Sequence, residues 1–189
     1  MKQEMKILPR EFYSRDTVKV AKDLLGKTLV RKINGYTLAG IITETEAYRH
    51  KDDPASHAYR GITERNKAMF GEVGKAYVYF TYGMYYCFNV VAKSQRVDAG
   101  AVLIRALEPQ IGIEKMIRNR KTRHISNLTN GPGKITQSLK ITKKQYGEDL
   151  VKQSTLYITE GMLPSKIVLG PRIGIKNATD KLWNFKISL

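Results

Sequence analysis

Two carboxylates, Glu44 and Glu46, end a β-type run that begins at Ile41, and Tyr48 and a polar loop with His57 follow them. Because side chains alternate along a strand, both glutamates are predicted to point to one face. Such a pair has three interpretations: a solvated strand face, which is favoured for a carboxylate pair taken alone, a general base with a neighbour that tunes its pKa, or a seat for a divalent cation. The pair alone does not decide among them.

A second candidate feature is a concentration of aromatic residues, because five of the 11 tyrosines lie between positions 77 and 86. The pattern predicts two strands joined by a turn near residues 82–84, with Tyr82 at the tip. Aromatic residues in strands commonly build a core, and we retain that interpretation for most of these rings. The tip is the exception.

Arg105 lies inside an apolar strand predicted over residues 101–107. A guanidinium group there must find an anion or reach solvent, so we expect it to pair with Glu46 or Glu108, or to face a bound phosphate. A glycine-rich loop, 129–134, is predicted to open a helix whose first amides suit a phosphate. The spacing of an ATP-binding P-loop is absent, which excludes that ATPase class.

The chain has 189 residues, and its 33 Lys and Arg against 17 Asp and Glu give a net charge of +16. This charge favours nucleic acid as the partner, with an anionic membrane surface second. No apolar run approaches the roughly 20 residues of a membrane-spanning helix, and residues 1–6 lack the apolar core of a signal peptide. We therefore predict a cytoplasmic protein without membrane association.

The length suits one domain, 1–189, that needs no disulfide or metal to stabilise its core. Cys87 is the only cysteine, so neither an intrachain disulfide nor a cysteine-based metal site is expected. The three histidines, His50, His57 and His124, are too few for a zinc pattern.

Local signals predict the elements that position these residues. Asp16 is expected to cap a helix over residues 17–25 that Gly26 ends. A strand over 27–33 leads to a two-residue turn, and its return strand carries the two glutamates. The polar stretch 49–65 is predicted to be a long surface loop, a length typical of functional loops.

Two further segments complete the predicted architecture. Residues 112–123 are expected to form a basic helix, whose charges suit either solvent or a DNA backbone. Residues 155–189 are predicted to form short strands joined by turns, with Trp183 filling the core.

The order and joint occurrence of these motifs resemble the alkyladenine (3-methyladenine) DNA glycosylases. The motifs are 44–48 (ETEAY), His57, 77–79 (YVY), 82–85 (YGMY), Asn89, 103–109 (LIRALEP), 131–134 (GPGK) and 171–174 (PRIG). The chain departs from the family at His50, where a glycine is usual. We expect a mixed α/β domain with a curved, largely antiparallel β-sheet, flanking helices and a protruding hairpin that intercalates into DNA.

The resemblance implies a monofunctional enzyme that excises 3-methyladenine, 7-methylguanine, hypoxanthine or ethenoadenine from damaged double-stranded DNA. Glu46 would deprotonate the attacking water, and Arg105 would hold the target nucleotide and position that water. We expect no metal and no other cofactor, and a monomer that reaches the nucleoid through its DNA. Two rival functions stay open: a magnesium nuclease that uses Glu44, Glu46 and Asp52, and a non-catalytic nucleic-acid-binding module.

The resemblance also implies how the base would be held. Tyr48 and His57 would stack on one face of the flipped base and Tyr79 on the other. Asn89 would lie at the pocket floor, where it would clash with the exocyclic amine of guanine. Tyr82 would fill the gap left in the duplex. Stacking of about 1–3 kcal/mol per base would offset the few kcal/mol that unstacking requires.

Overall fold

The computed structural model describes residues 6–189, so residues 1–5, most of the segment predicted to lack a signal-peptide core, lie outside it. Eight strands are described: β1 Thr28–Ile33, β2 Tyr36–Arg49, β3 Ala76–Thr81, β4 Tyr85–Val91, β5 Gly100–Ile111, β6 Leu156–Thr159, β7 Val168–Gly170 and β8 Asn184–Lys186. The α-helices in this range are α1 Arg10–Tyr13, α2 Thr17–Asp23, α3 Lys67–Phe70, α4 Ile113–Arg120 and α5 Pro132–Ser138, and two short 3-10 helices span Ile125–Asn127 and Lys143–Gln145.

The strands form one antiparallel sheet in the order β3-β4-β5-β2-β1-β6, and β8 pairs with both β2 and β7. The sheet is curled into a half-barrel, and the predicted mixed α/β fold class is confirmed. Within residues 6–189, no helix combines the length and apolar character needed to cross a membrane.

The predicted local signals place the first elements. The carboxylate of Asp16 accepts hydrogen bonds from the first amides of α2, as expected of an N-cap, and α2 ends at Asp23, two residues early. Asn34 and Gly35 have φ of 48° and 77°, which is the conformation of a tight hairpin turn. The short helix α1 was not predicted.

An irregularity in β2 sets the orientation of the glutamates. The pairing of β2 with β5 shifts register between Ile42 and Thr45, as in a β-bulge. A bulge changes which alternate positions face the core, and accordingly Ile42 and Ala47 are both fully buried in the main core. The hydroxyl of Thr45 donates to the Ala21 carbonyl at 2.7 Å on that side. Glu46 therefore points to the opposite face, away from α2.

The main core lies between the sheet and α2, α4 and α5, with Phe88, Ile104 and Phe185 among its fully buried side chains. Trp183 is only partly buried, so its prediction as a core plug is wrong in part: it packs at the core's edge. There the guanidinium groups of Arg49 and Arg172 lie 4.6 and 5.2 Å from its ring.

Other predicted boundaries shift by a few residues. The helix α5 begins at Pro132 rather than at residue 135, and α4 ends at Arg120 because Lys121 adopts φ of 52°. Strand β5 continues past residue 107 through Pro109, where the register against β2 is irregular.

Candidate active site

A cavity of about 430 Å³ opens between β3, β4 and β5 and the loop that follows β2. Residues predicted from the sequence line it: Tyr48, His57, Tyr79, Tyr82, Asn89 and Arg105. The seventh predicted residue, Glu46, is fully buried and joins the cavity wall through its contacts with Tyr48 and Arg105.

The Glu46 carboxylate accepts four hydrogen bonds. Its Oε2 atom accepts from the Tyr48 hydroxyl at 2.7 Å and from Arg105 Nη1 at 3.2 Å. Its Oε1 atom accepts from the Ile173 amide at 2.7 Å and from Asn184 Nδ2 at 3.0 Å. A carboxylate has about four acceptor positions, so these donors hold Glu46 fully satisfied.

Glu44 extends this network towards the surface. Its Oε1 atom lies 3.4 Å from Arg105 Nε and 3.3 Å from Lys186 Nζ, and it accepts from Asn184 Nδ2 at 2.7 Å. Of the partners predicted for Arg105, the structure therefore shows Glu46. Glu44, which was not predicted as a partner, is a second one. Strand β8, which supplies Asn184 and Lys186, pairs directly with this part of β2.

The donor set of the rival nuclease is not assembled in residues 6–189. The two glutamates are bound to cations and amides, and the Asp52 carboxylate pairs with Arg49 instead. No group of three or more potential metal ligands occurs in this part of the chain. The three carboxylates of the nuclease hypothesis therefore do not form a seat for Mg²⁺ here.

A buried ion pair anchors the loop after β2. The Asp53 and Arg172 side chains are both fully buried, and two hydrogen bonds of 2.6 and 2.7 Å join them. Arg172 also donates to the Ala47 carbonyl at 2.9 Å, and the Arg49 amide donates to Asp53 at 3.0 Å. The pair thereby positions the next residue, Ile173, whose amide contacts Glu46.

Neutral aromatic groups form one wall of the cavity. His57 Nδ1 lies 2.9 Å from the Tyr77 hydroxyl, and the His57 and Tyr79 rings meet edge to face with centroids 4.7 Å apart. Partial burial of the imidazole lowers the pKa of His57, and the positive charge of Arg65 lowers this pKa further. Burial raises the pKa of Tyr77 and Tyr79, so both hydroxyls are protonated at neutral pH.

The hairpin tip projects beside the cavity. Thr81 and Tyr85 are paired, which leaves a three-residue loop whose first residue, Tyr82, is 82% exposed. Tyr82 and Gly83 adopt φ of 51° and 67°. Such left-handed positions tighten the turn and aim Tyr82 outwards. The prediction of a turn with an aromatic tip is confirmed.

Sequence reasoning missed Asn184 and the Ile173 amide, which complete the environment of Glu46. Ile173 and Arg172 belong to the 171–174 motif, which contributed to the family resemblance but was assigned no role in the site. Asn184 carried none. His50, the departure from the family pattern, packs edge to face on Phe70, and its Nδ1 atom lies 3.2 Å from Asp98.

A buried carboxylate beneath an aromatic cavity, with an exposed tyrosine on a neighbouring hairpin, is suited to an enzyme that takes a base out of DNA.

Comparison with known proteins identifies the family. A model of the methylpurine-DNA glycosylase family matches residues 11–188, and the chain belongs to this family. Relatives provisionally named 3-methyladenine DNA glycosylases include one from Carboxydothermus hydrogenoformans, 53% identical over 95% of this chain and 94% of its own. Similar proteins of that provisional name are 48% identical in Prosthecochloris aestuarii (95% and 86% covered) and 47% in Clostridium acetobutylicum (97% and 94% covered).

Proposed function

We propose that the protein flips alkylated or deaminated purines out of duplex DNA and hydrolyses their N-glycosidic bond with water activated by Glu46, leaving an abasic site. The substrates proposed are 3-methyladenine, 7-methylguanine, hypoxanthine and ethenoadenine. The observation that carries the proposal is the fully buried Glu46, held by four donors against a cavity of about 430 Å³.

In the hydrolysis, the water oxygen bonds to C1′ of the deoxyribose, and the C1′–N bond breaks with its electron pair passing to the purine. A cationic purine departs as a neutral base, whereas a neutral purine such as hypoxanthine departs as an anion and takes up a proton from solvent. One proton of the water goes to Glu46, which later releases it to solvent. Because all four acceptor positions are taken, Glu46 must release one donor before it accepts that proton. Tyr48 and Arg105 share Oε2 and both line the cavity, so Oε2 is the oxygen that we assign to the water.

The geometry favours a different base sandwich from the one predicted. His57 and Tyr79 touch each other, so they form one wall rather than two opposing faces. We place the flipped purine between this wall and Tyr48. A purine methylated at N3 or N7 is cationic and is attracted further by the faces of the rings.

Asn89 is proposed to exclude normal guanine. Its side chain is 3% exposed, lines the cavity and donates through Nδ2 to the Tyr77 carbonyl at 3.0 Å. This hydrogen bond hinders Asn89 from swinging aside when a guanine amine approaches it. The steric clash disfavours guanine and 7-methylguanine alike, and lesions without this amine avoid it. For 7-methylguanine the positive charge offsets the clash, because it attracts the base to the rings and makes it a better leaving group.

The deciding experiment is incubation with a duplex that carries one hypoxanthine, in the presence of EDTA. We expect release of free hypoxanthine and an abasic site. Strand cutting that EDTA abolishes would support the nuclease instead, and tight binding without any product would support a non-catalytic module.

We further propose a monomer of one domain, 1–189, that acts on damaged double-stranded DNA in the cytoplasm, held at the nucleoid by its DNA. The net charge of +16 supports the DNA association.

Replacing Tyr82, the residue proposed to fill the gap in the duplex as a wedge, gives the first test of DNA binding. Tyr82→Ala is expected to weaken binding to lesion DNA by ~1–3 kcal/mol, which is about 5- to 150-fold, because the gap in the duplex is no longer filled. Met84→Ala is a matched control, since Met84 lies on the same tip and is 62% exposed. Equal binding by the parent and Tyr82→Ala, with equal melting temperatures, would show that Tyr82 is not the wedge.

The lowered pKa of His57 gives a pH test. At neutral pH its imidazole is uncharged and tolerates a cationic base, but it gains a proton as the pH falls below the ordinary value of about 6.5. Like-charge repulsion of about 1 kcal/mol should then raise the enzyme concentration needed for half-saturation with 7-methylguanine DNA about fivefold relative to that for hypoxanthine DNA. Single-turnover titrations with both lesions, at neutral pH and at a pH below the ordinary histidine value, measure the ratio of the two half-saturation concentrations. His57→Gln should show a flat ratio, and the same drop in both proteins would contradict the assignment.

A further inference from the structure

A second cavity, of about 350 Å³, lies on a part of the surface that the proposed base excision does not use. Four of its lining residues are cations: Arg31 of β1, Lys115 of α4, Lys140 just after α5, and Lys144. No carboxylate is among the lining residues. We refer to this site as the basic cavity.

The basic cavity is separate from the active site. No residue lines both cavities. The two cavities lie towards opposite ends of β2: Arg31 pairs with Leu38, whereas Tyr48, which lines the active site, is ten residues further along the strand, or about 33 Å of strand length. Helix α5 also lies between the two cavities, because Pro132 at its start lines the active site and Lys140 follows its end. Seven helical residues are about 10 Å long.

Arg31 gives the basic cavity a fixed cation that has no carboxylate oxygen within 4.0 Å in residues 6–189. Its side chain is largely buried, and the residue is 5% exposed. Its Nη1 donates to the Thr155 carbonyl at 3.0 Å and to the Lys32 carbonyl at 3.4 Å. Within residues 6–189 this leaves Nη2 as the donor group that has no hydrogen-bond partner and is not shielded from solvent. Burial lowers the pKa of Arg31, and the negative charge of Glu148 acts in the opposite direction. The Glu148 carboxylate, however, accepts from Ser154 and Thr155.

The lysines of the basic cavity have no close carboxylate either. None of the three has a carboxylate oxygen within 4.0 Å in residues 6–189, whereas many other cations of the chain are paired. Lys140 and Lys144 are exposed, and Lys115 is half-buried with its ammonium 4.7 Å from the Tyr36 ring centre. Mobile lysines around a rigid guanidinium suit an anion with several acceptor oxygens.

We propose that the basic cavity is a phosphate-binding site outside the base-excision site. Arg31 supplies the fixed donors at its base, and Lys115, Lys140 and Lys144 neutralise the phosphate from the rim. Two sources carry this chemistry: a backbone phosphate of DNA away from the lesion, and a free phosphate anion. The open rim and the charge of the whole chain make DNA the source expected.

The test compares two triple variants that lose the same charge. Lys115→Gln, Lys140→Gln and Lys144→Gln together remove the rim of the basic cavity. Lys6→Gln, Lys19→Gln and Lys166→Gln remove three exposed lysines that line neither cavity. Arg31 is left in place because its side chain is largely buried and hydrogen-bonded to the Lys32 and Thr155 carbonyls, so its replacement would also perturb the structure. Melting temperatures verify that both triple variants are folded.

Lesion-free duplex is the first probe. The affinity of the parent should fall with salt, and the log–log slope of the rim variant should be shallower by about 0.9 for each backbone phosphate that it no longer neutralises, while that of the control stays near the parent. Pyrophosphate at constant ionic strength is the second probe. It should raise the melting temperature of the parent and the control but not of the rim variant.

The outcomes separate the sources and the proposals. A changed salt slope identifies DNA, and loss of pyrophosphate stabilisation with an unchanged slope identifies a free phosphate anion. If the rim variant equals the control with both probes, the phosphate site is refuted. Single-turnover base release by the rim variant at saturating enzyme should stay within a few-fold of the parent, so a failure of the proposed excision would be visible separately.

Discussion

Glu46→Gln is expected to slow release of hypoxanthine about 10²- to 10⁴-fold, the usual range for loss of a general base. Glutamine keeps the shape of the side chain and can still accept from the Ile173 amide and Asn184. Its amide nitrogen, however, cannot take a proton from water. Single-turnover rates at saturating enzyme measure the chemical step without product release.

The loss should depend on the lesion. A purine methylated at N3 or N7 already carries positive charge and departs readily, so we expect a smaller fractional loss with 7-methylguanine than with neutral hypoxanthine. Glu44→Gln is the matched control, since Glu44 shares Asn184 and Arg105 with Glu46 but has no contact with the Tyr48 hydroxyl or the Ile173 amide. A Glu46→Gln enzyme within a few-fold of the parent on hypoxanthine would remove Glu46 from the mechanism.

Asp53→Ala is expected to destabilise the protein by ~3–5 kcal/mol, because it leaves the fully buried Arg172 without its counter-ion. For a chain of this size, that loss lowers the melting temperature by about 6–20 °C. Calorimetry or thermal unfolding followed by circular dichroism measures the effect.

The neighbouring Asp52 provides the control. Its ion pair with Arg49 is exposed, so Asp52→Ala should lower stability by about 0–1 kcal/mol. Asp53→Ala should also slow base release at temperatures where it is folded, because the Ile173 amide loses its anchor beside Glu46. Equal melting temperatures of the two variants would show that the buried pair does not hold the loop.

Features encoded by neighbouring residues were predictable from the sequence. The Asp16 cap, the Asn34–Gly35 turn and the turn at Tyr82 each depend on a few adjacent residues whose backbone preferences are strong. The shared face of Glu44 and Glu46 followed from strand alternation. The resemblance extended this information to the set of residues that lines the cavity.

Features encoded by distant residues were not predictable in this way. Glu46 meets Ile173 and Asn184 across 127 and 138 residues of chain, and Asp53 meets Arg172 across 119. Periodicity says nothing about such pairings, which depend on the packing of β8 and the loop before it. The contact of His57 with Tyr79 has the same origin, since it is set by how the loop after β2 folds over β3.

Strand β2 is hydrogen-bonded on both sides at the glutamates, to β5 and to β8. The hairpin tip, in contrast, belongs to no strand pairing in residues 6–189. It is closed by the Met84 amide, which donates to the Thr81 carbonyl. Amide hydrogens at positions 45–47 should therefore exchange with deuterated solvent far more slowly than those at 82 and 83. Local opening at the tip then leaves strand β2 closed. The hairpin tip can therefore change conformation against each base pair that it contacts, while the Glu46 carboxylate on β2 keeps its position.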